Sequence, residues 1–154
     1  TAEADVAASG WGAELGVPPL GLAVQEVLAA HRRLREHPEV DPARVGILAV
    51  GPAGVAALQA AVLVGDDGPV VLVHAPVTLW FDGPGAGPAY VPWPSWTVAP
   101  IPGGATLDPW PAAVALGDRL RWLDPRAGDG QPWTEALPAG TLHENLATLV
   151  PEER

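Results

Sequence analysis

The sequence predicts an α/β fold: a three-layer α/β/α domain around a mainly parallel sheet. Three observations carry this. Arg44 to Val50 and Pro69 to His74 are short apolar runs rich in branched residues, as buried parallel strands are. An Ala- and Leu-rich segment, Val55 to Val64, lies between them with the composition and length of a helix. A third run, Arg119 to Leu123, ends at Asp124-Pro125. Strand, helix and strand form one βαβ unit, whose crossover is right-handed and whose strands are parallel.

The elements run in this order along the chain. Residues 1–19 are mostly Ala, Gly and small polar groups and read as a loop. Leu20 to His37 reads as an amphipathic helix, with Leu20, Val24, Val27, Leu28 and Leu34 on its apolar side and Pro38 as its stop. Glu39 to Pro42 is a turn before the first strand. Gly51-Pro52-Ala53-Gly54 separates that strand from its helix, and Gly65 to Gly68 closes the helix. From Ala75 to Pro111 proline and glycine dominate, tryptophans are scattered and no period emerges. An excursion of this length is usually functional or covers something. Pro111 to Gly117 reads as a short helix, Trp133 to Leu137 as a helical turn and Thr141 to Val150 as a last helix. Thr141 and Glu144 supply a capping-box pattern for the last one. The whole chain, residues 1–154, reads as one domain.

Composition narrows the function. Apolar residues make up 48 % and charged residues 17 %, which favours a globular protein. Eighteen acidic residues against eight basic ones give a formal charge of −10, and every basic residue is arginine. Such a chain repels phosphate backbones, so nucleic acid is not an expected partner. Val45 to Gly65 has roughly the length and apolarity of a membrane span, but Gly51-Pro52 and Gly54 break it, so no membrane partner is expected. Cysteine is absent, which removes disulfides, thiolate metal sites and a cysteine nucleophile together. No signal peptide is visible at the first residues, and methionine is absent even at position 1. A processed start or a piece of a longer protein is expected on that ground. The abundance of Ala, Gly, Pro and Arg is similar to that of proteins from high-GC bacteria.

The succession of helix, Asp-Pro turn, buried strand, tight turn, Ala-rich helix and strand resembles the centre of an α/β-hydrolase. Pro38-Glu39-Val40-Asp41-Pro42-Ala43-Arg44-Val45-Gly46 resembles the lead-in to the nucleophile strand of acetyl-xylan-esterase-like and dienelactone-hydrolase-like enzymes. Leu15 to Leu22 followed by Val24 to Leu28, Ile101 to Gly104 with Pro111 to Leu116, and Arg121 to Pro125 resemble further segments of that family. The likeness covers most of residues 14–125. It implies a hydrolase-like domain, partial or minimal, because a whole α/β-hydrolase needs more strands before residue 45. It also implies a secreted or periplasmic setting, and another domain or chain that completes the sheet.

The family's nucleophile elbow reads Gly-x-Ser-x-Gly, with the serine exposed on a sharp strand-to-helix turn and the following N–H in the oxyanion hole. The residues here are Gly51, Pro52, Ala53, Gly54 and Val55. Ala53 has no hydroxyl, and the only two serines, Ser9 and Ser95, lie far from the turn in sequence. The resemblance therefore implies a catalytically inactive copy, an accessory or structural module of a larger esterase- or peptidase-like protein. Asp124 stands where the family's acid would be. His143 comes after it in the family's order, but falls within the predicted last helix. Two alternatives stay open: an ester hydrolase whose catalytic groups come from elsewhere, and a carbohydrate-binding module that stacks sugars on exposed tryptophans.

Candidate binding residues are His74, at the end of a buried strand where open α/β sheets take their ligands, and Trp93 and Trp96 in the excursion. The plainer expectations are a hydrogen-bonded core histidine and tryptophans packed down as a lid. A small ester or a carbohydrate is the expected ligand class. His31 and His37 are six residues apart and do not share a helix face, so no metal is expected. The Gly51 turn lacks the lysine of a phosphate loop and the third glycine of a dinucleotide fingerprint, so no cofactor is expected either.

Overall fold

The computed structural model describes residues 19–65, 68–78, 109–127 and 130–137, and the backbone of 142–144. Among the described residues the α-helices are α1 (Pro19–Arg35), α2 (Ala53–Val64) and α3 (Pro109–Leu116). The strands are β1 (Ile47–Val50), β2 (Val70–Val73), β3 (Leu120–Leu123) and β4 (Leu142–Glu144). They form one four-stranded sheet in the order β1-β2-β3-β4, and every neighbouring pair is parallel. The expected α/β class with a parallel sheet is therefore present.

α2 is the centre of the packing, and its sequence explains why. It is apolar on all sides, as a helix enclosed by neighbours must be. Ala57, Leu58 and Ala61 face the sheet, where they meet Ala49, Leu72 and Trp122 and the α3 residues Ala112, Ala113 and Leu116. Val55, Ala56 and Ala60 face the other way and meet Leu20 and Val24 of α1. The alanines let three elements approach one helix closely. Leu58, fully buried, contributes about 1.5–3 kcal/mol by removal from water. α2 ends at Gly65, whose left-handed φ of 67° closes the last turn. α1 carries Arg32, Arg33 and Arg35 in its last turn, where their charge suits the helix dipole.

The inner face of the sheet is the core. Trp122 is fully buried and its indole Nε1–H donates to the carbonyl of Ala75 at 3.1 Å, so the one polar atom of the largest core side chain is satisfied. The outer face differs. Leu48 and Val50 of β1 are 70 % and 59 % exposed, and Arg121 of β3 is exposed as well. Among the described residues, α2 and α3 cover one face and no helix covers the other. β1 is an edge strand. Ile47 at its start and Gly51 just beyond its end donate their N–H groups to Pro69 and Val73 of the β2 segment. Alternation in a parallel ladder then points the main-chain groups of Leu48 and Val50 toward the open side. A cleft of about 500 Å³ lies there between β1 and Val27, Ala30, His31 and Leu34 of α1.

Several expectations need correction. Residues 142–144 are a strand, not part of a helix. Parallel pairing with β3, with Trp122 opposite His143, overrides the local helical pattern. Trp133 to Leu137 is not helical, because the chain there is held by Trp133 N–H donating to the carbonyl of Pro125. α3 begins at Pro109, so Trp110 belongs to a helix and packs on Trp133 with ring centroids 6.3 Å apart. Trp93 and Trp96 lie outside the described residues.

Candidate functional site

The site is built at the carboxyl edge of the sheet. Val50, Val73 and Leu123 stand side by side in the register of β1, β2 and β3. The residue after each of them adopts a left-handed conformation: Gly51 at φ 60°, His74 at φ 51° and Asp124 at φ 44°. Three adjacent strands therefore turn at the same level. Glycine accepts this conformation freely, and Asp and His are among the few others that visit it often.

The three turns lead into different structures. After Gly51 the chain enters α2. The Gly54 N–H donates to the Gly51 carbonyl at 3.0 Å and the Val55 N–H to the Pro52 carbonyl at 3.1 Å. Ala53 is the exposed first residue of the helix. The left-handed residue of this turn is thus Gly51, and the Gly54 N–H is bonded back to its carbonyl. Gly54 is the close-packing glycine: a Cβ there would stand 2.5 Å from the Ala75 Cβ. Val55 is fully buried and packs toward α1.

After His74 and Asp124 the two strands bend together and pairing resumes. Arg126 donates its N–H to the Ala75 carbonyl at 3.0 Å, Val77 donates to the Arg126 carbonyl at 2.8 Å, and Pro76 bridges Arg126 in parallel. Below the bend, His74 N–H donates to the Leu123 carbonyl at 2.9 Å. The Trp122 indole holds Ala75 from beneath. Each non-glycine left-handed residue costs roughly 1–2 kcal/mol. The bonds on both sides of the bend over-determine that conformation, as strained positions require.

The matched bends bring two side chains together. His74 Nε2 lies 3.4 Å from Asp124 Oδ2, with the side chains 43 % and 25 % exposed. An ion pair this exposed is worth about 0–1 kcal/mol. It is too weak to offset the strain of two left-handed residues, so the pair does not account for the bend; the bend presents the pair. Chemically it is an imidazole beside a carboxylate, two groups that can each exchange protons.

The predicted residues separate into three groups. Gly51, Ala53 and Gly54 form the turn at the top of β1. His74 and Asp124 meet one and two strands away. His143 lies in β4 level with Trp122, below the row of turns and not in it. The pairing of His74 with Asp124 is absent from the sequence-based expectations. One signal anticipates it: each ends an apolar run and stands just before a proline-containing segment, Ala75-Pro76 and Pro125. Among the described residues no group of three or more His, Cys, Asp or Glu side chains could hold a metal ion, and no helix is long and apolar enough to cross a membrane. No protein-family model, curated protein or solved structure matches this chain.

Proposed function

We propose that this chain is a hydrolase-like α/β domain without serine-hydrolase chemistry, serving as an accessory or structural module of a larger esterase- or peptidase-like protein. The observation that carries this is the turn at the top of β1. Ala53 offers no hydroxyl, and the Gly54 N–H is occupied by Gly51. A nucleophile and an oxyanion donor are both missing at the place where the resemblance puts them, and loss of such groups costs several powers of ten in rate.

The sheet face that no helix covers among the described residues supports the second half of the proposal. Parallel sheets are normally covered on both faces, and a flat apolar edge invites pairing. The exposure of Leu48 and Val50, with their main-chain groups turned to the open side of β1, suits completion by another domain or chain in a three-layer arrangement. The carboxyl edge, where His74 and Asp124 meet, is the place for a small ester or carbohydrate ligand.

Turnover of a chromogenic acetate, with and without a serine-directed fluorophosphonate, tests this reading. The expected result is no fluorophosphonate-sensitive turnover, in the native chain and equally in Ala53→Ser. The substitution adds a hydroxyl but leaves the Gly54 N–H bonded. Sensitive turnover by the native chain overturns the reading.

A further inference from the structure

We propose that the cleft between β1 and α1 binds one extended apolar strand of another chain or domain, which pairs with the outward main-chain groups of Leu48 and Val50. This rests on the proposed function, in which the sheet is completed from outside, and adds the kind of partner and its place. The edge of β1 supplies the hydrogen bonds. Ile47 and Gly51 donate to the β2 segment, so the N–H and C=O groups of Leu48 and Val50 face away from it. α1 supplies a roof. It rests on α2 through Leu20 and Val24, while Val27, Ala30 and Leu34 line the cleft of about 500 Å³ beside β1. The apolar stripe of α1 is therefore wider than α2 covers. Leu34 is 50 % exposed on that stripe, and the edge residues Leu48 and Val50 are exposed as well.

The geometry also selects the occupant. Neighbouring strands stand about 4.8 Å apart, and packed helices about 8–10 Å apart. α1, packed beside α2, therefore overhangs the position that a strand next to β1 takes. A strand seated there carries no helix of its own on that face, because α1 already fills the space. This keeps β1 of a second copy out of the cleft, since its own α2 covers its inner face. Among the described lining residues His31 is the one polar side chain, and it is buried. A charged side chain pointing under α1 would lose its water against apolar neighbours. On the outer face the added side chains continue the rows that Leu48 forms with Val71 and Val50 with Val73. The matching strand is thus an uninterrupted run of branched apolar residues, as strands buried on both faces are. Every second residue of it turns its N–H and C=O to β1.

The probe is a fluorescent peptide, Lys-Lys-Val-Ile-Val-Ile-Val-Lys-Lys, N-methylated at every second central residue. One hydrogen-bonding edge remains, and the peptide cannot stack on itself. Fluorescence anisotropy should show saturable binding to the native chain. The same peptide N-methylated at every central residue keeps its charge and apolarity, and should bind at least about tenfold more weakly. Val50→Pro removes one outward N–H at a place where an edge strand tolerates proline, and should weaken binding by a similar factor. Val50→Ala keeps the N–H and should weaken it much less. In the native chain, bound peptide should slow amide exchange at Leu48 and Val50 by at least about tenfold, a reading that needs no variant. Equal binding of the fully methylated peptide, or unchanged exchange at Leu48 and Val50, overturns the proposal, as does no binding at all. Binding lost at the concentration where the chain dimerises would give the cleft to a second copy. Binding that appears only after residues 1–18 are removed would give it to the chain itself. Either outcome also overturns the proposal. Fluorophosphonate-sensitive turnover would sink the reading of the β1 turn and leave peptide binding standing, whereas no binding without such turnover would sink only this one.

Discussion

β1 and β2 run side by side to the same level and then diverge. Beyond Val50 the chain passes through Gly51 into α2; beyond Val73 it passes through His74 and continues as extended chain beside Arg126. Both use a left-handed residue at the top of a parallel strand. At β1 that residue is glycine, the next side chains are Pro52 and Ala53, and nothing there can move a proton. At β2 and β3 the residues are His74 and Asp124, facing one another. The same backbone device carries glycine, proline and alanine in one place and a histidine beside an aspartate in the next. The difference lies in which residue types occupy it.

The largest test of this contrast is the support that both turns share. Trp122 lies fully buried under the bend and holds the Ala75 carbonyl. Trp122→Ala should lower unfolding free energy by about 3–5 kcal/mol in a denaturant titration. A loss below about 1 kcal/mol would mean that the bend is held without it.

Next is the contact that joins the two regions. The N-terminal turn of α2 touches the residue after His74 through Gly54 and Ala75. Gly54→Ala should cost about 1–3 kcal/mol by overpacking and should also disturb the His74 resonance. Destabilisation without any change at His74 would separate the turn from the pair.

The three left-handed positions should respond with opposite signs. A Cβ at Gly51 meets nothing within 4 Å, so Gly51→Ala should lose only the roughly 1–2 kcal/mol of backbone strain. His74→Gly and Asp124→Gly relieve that strain, and their stability should be unchanged or higher by up to about 1 kcal/mol, measured as a thermal midpoint. A loss above about 2 kcal/mol from either would show that the pair is there for stability. The smallest effect belongs to the outer face. Leu48→Lys with Val50→Lys should shift stability by no more than about 0.5 kcal/mol each and reduce self-association in sedimentation; unchanged association would mean that β1 is not the adhesive edge.

Much of the fold was legible because β1, α2, β2 and β3 are short apolar segments set off by Gly, Pro and Asp. Their predicted bounds differ from the observed ones by no more than a few residues at the ends. β4 was not legible: Leu142-His143-Glu144 has no strand character of its own, and only the open side of β3 makes it one. That Ala53 carries no hydroxyl could be read directly. The bond from the Gly54 N–H to the Gly51 carbonyl could not, since it depends on where the left-handed residue falls in the turn. The His74–Asp124 pair needed more still. Fifty residues of sequence separate its members, and they meet because β2 and β3 are neighbours and bend at one register position.

The central claim is that the turn Gly51-Pro52-Ala53-Gly54 runs no serine chemistry and that no other serine replaces it. Mass spectrometry of the native chain after incubation with a fluorophosphonate tests this most directly. The account predicts an unmodified mass. A phosphonylated adduct on Ser9 or Ser95, formed with loss of ester turnover, would contradict it.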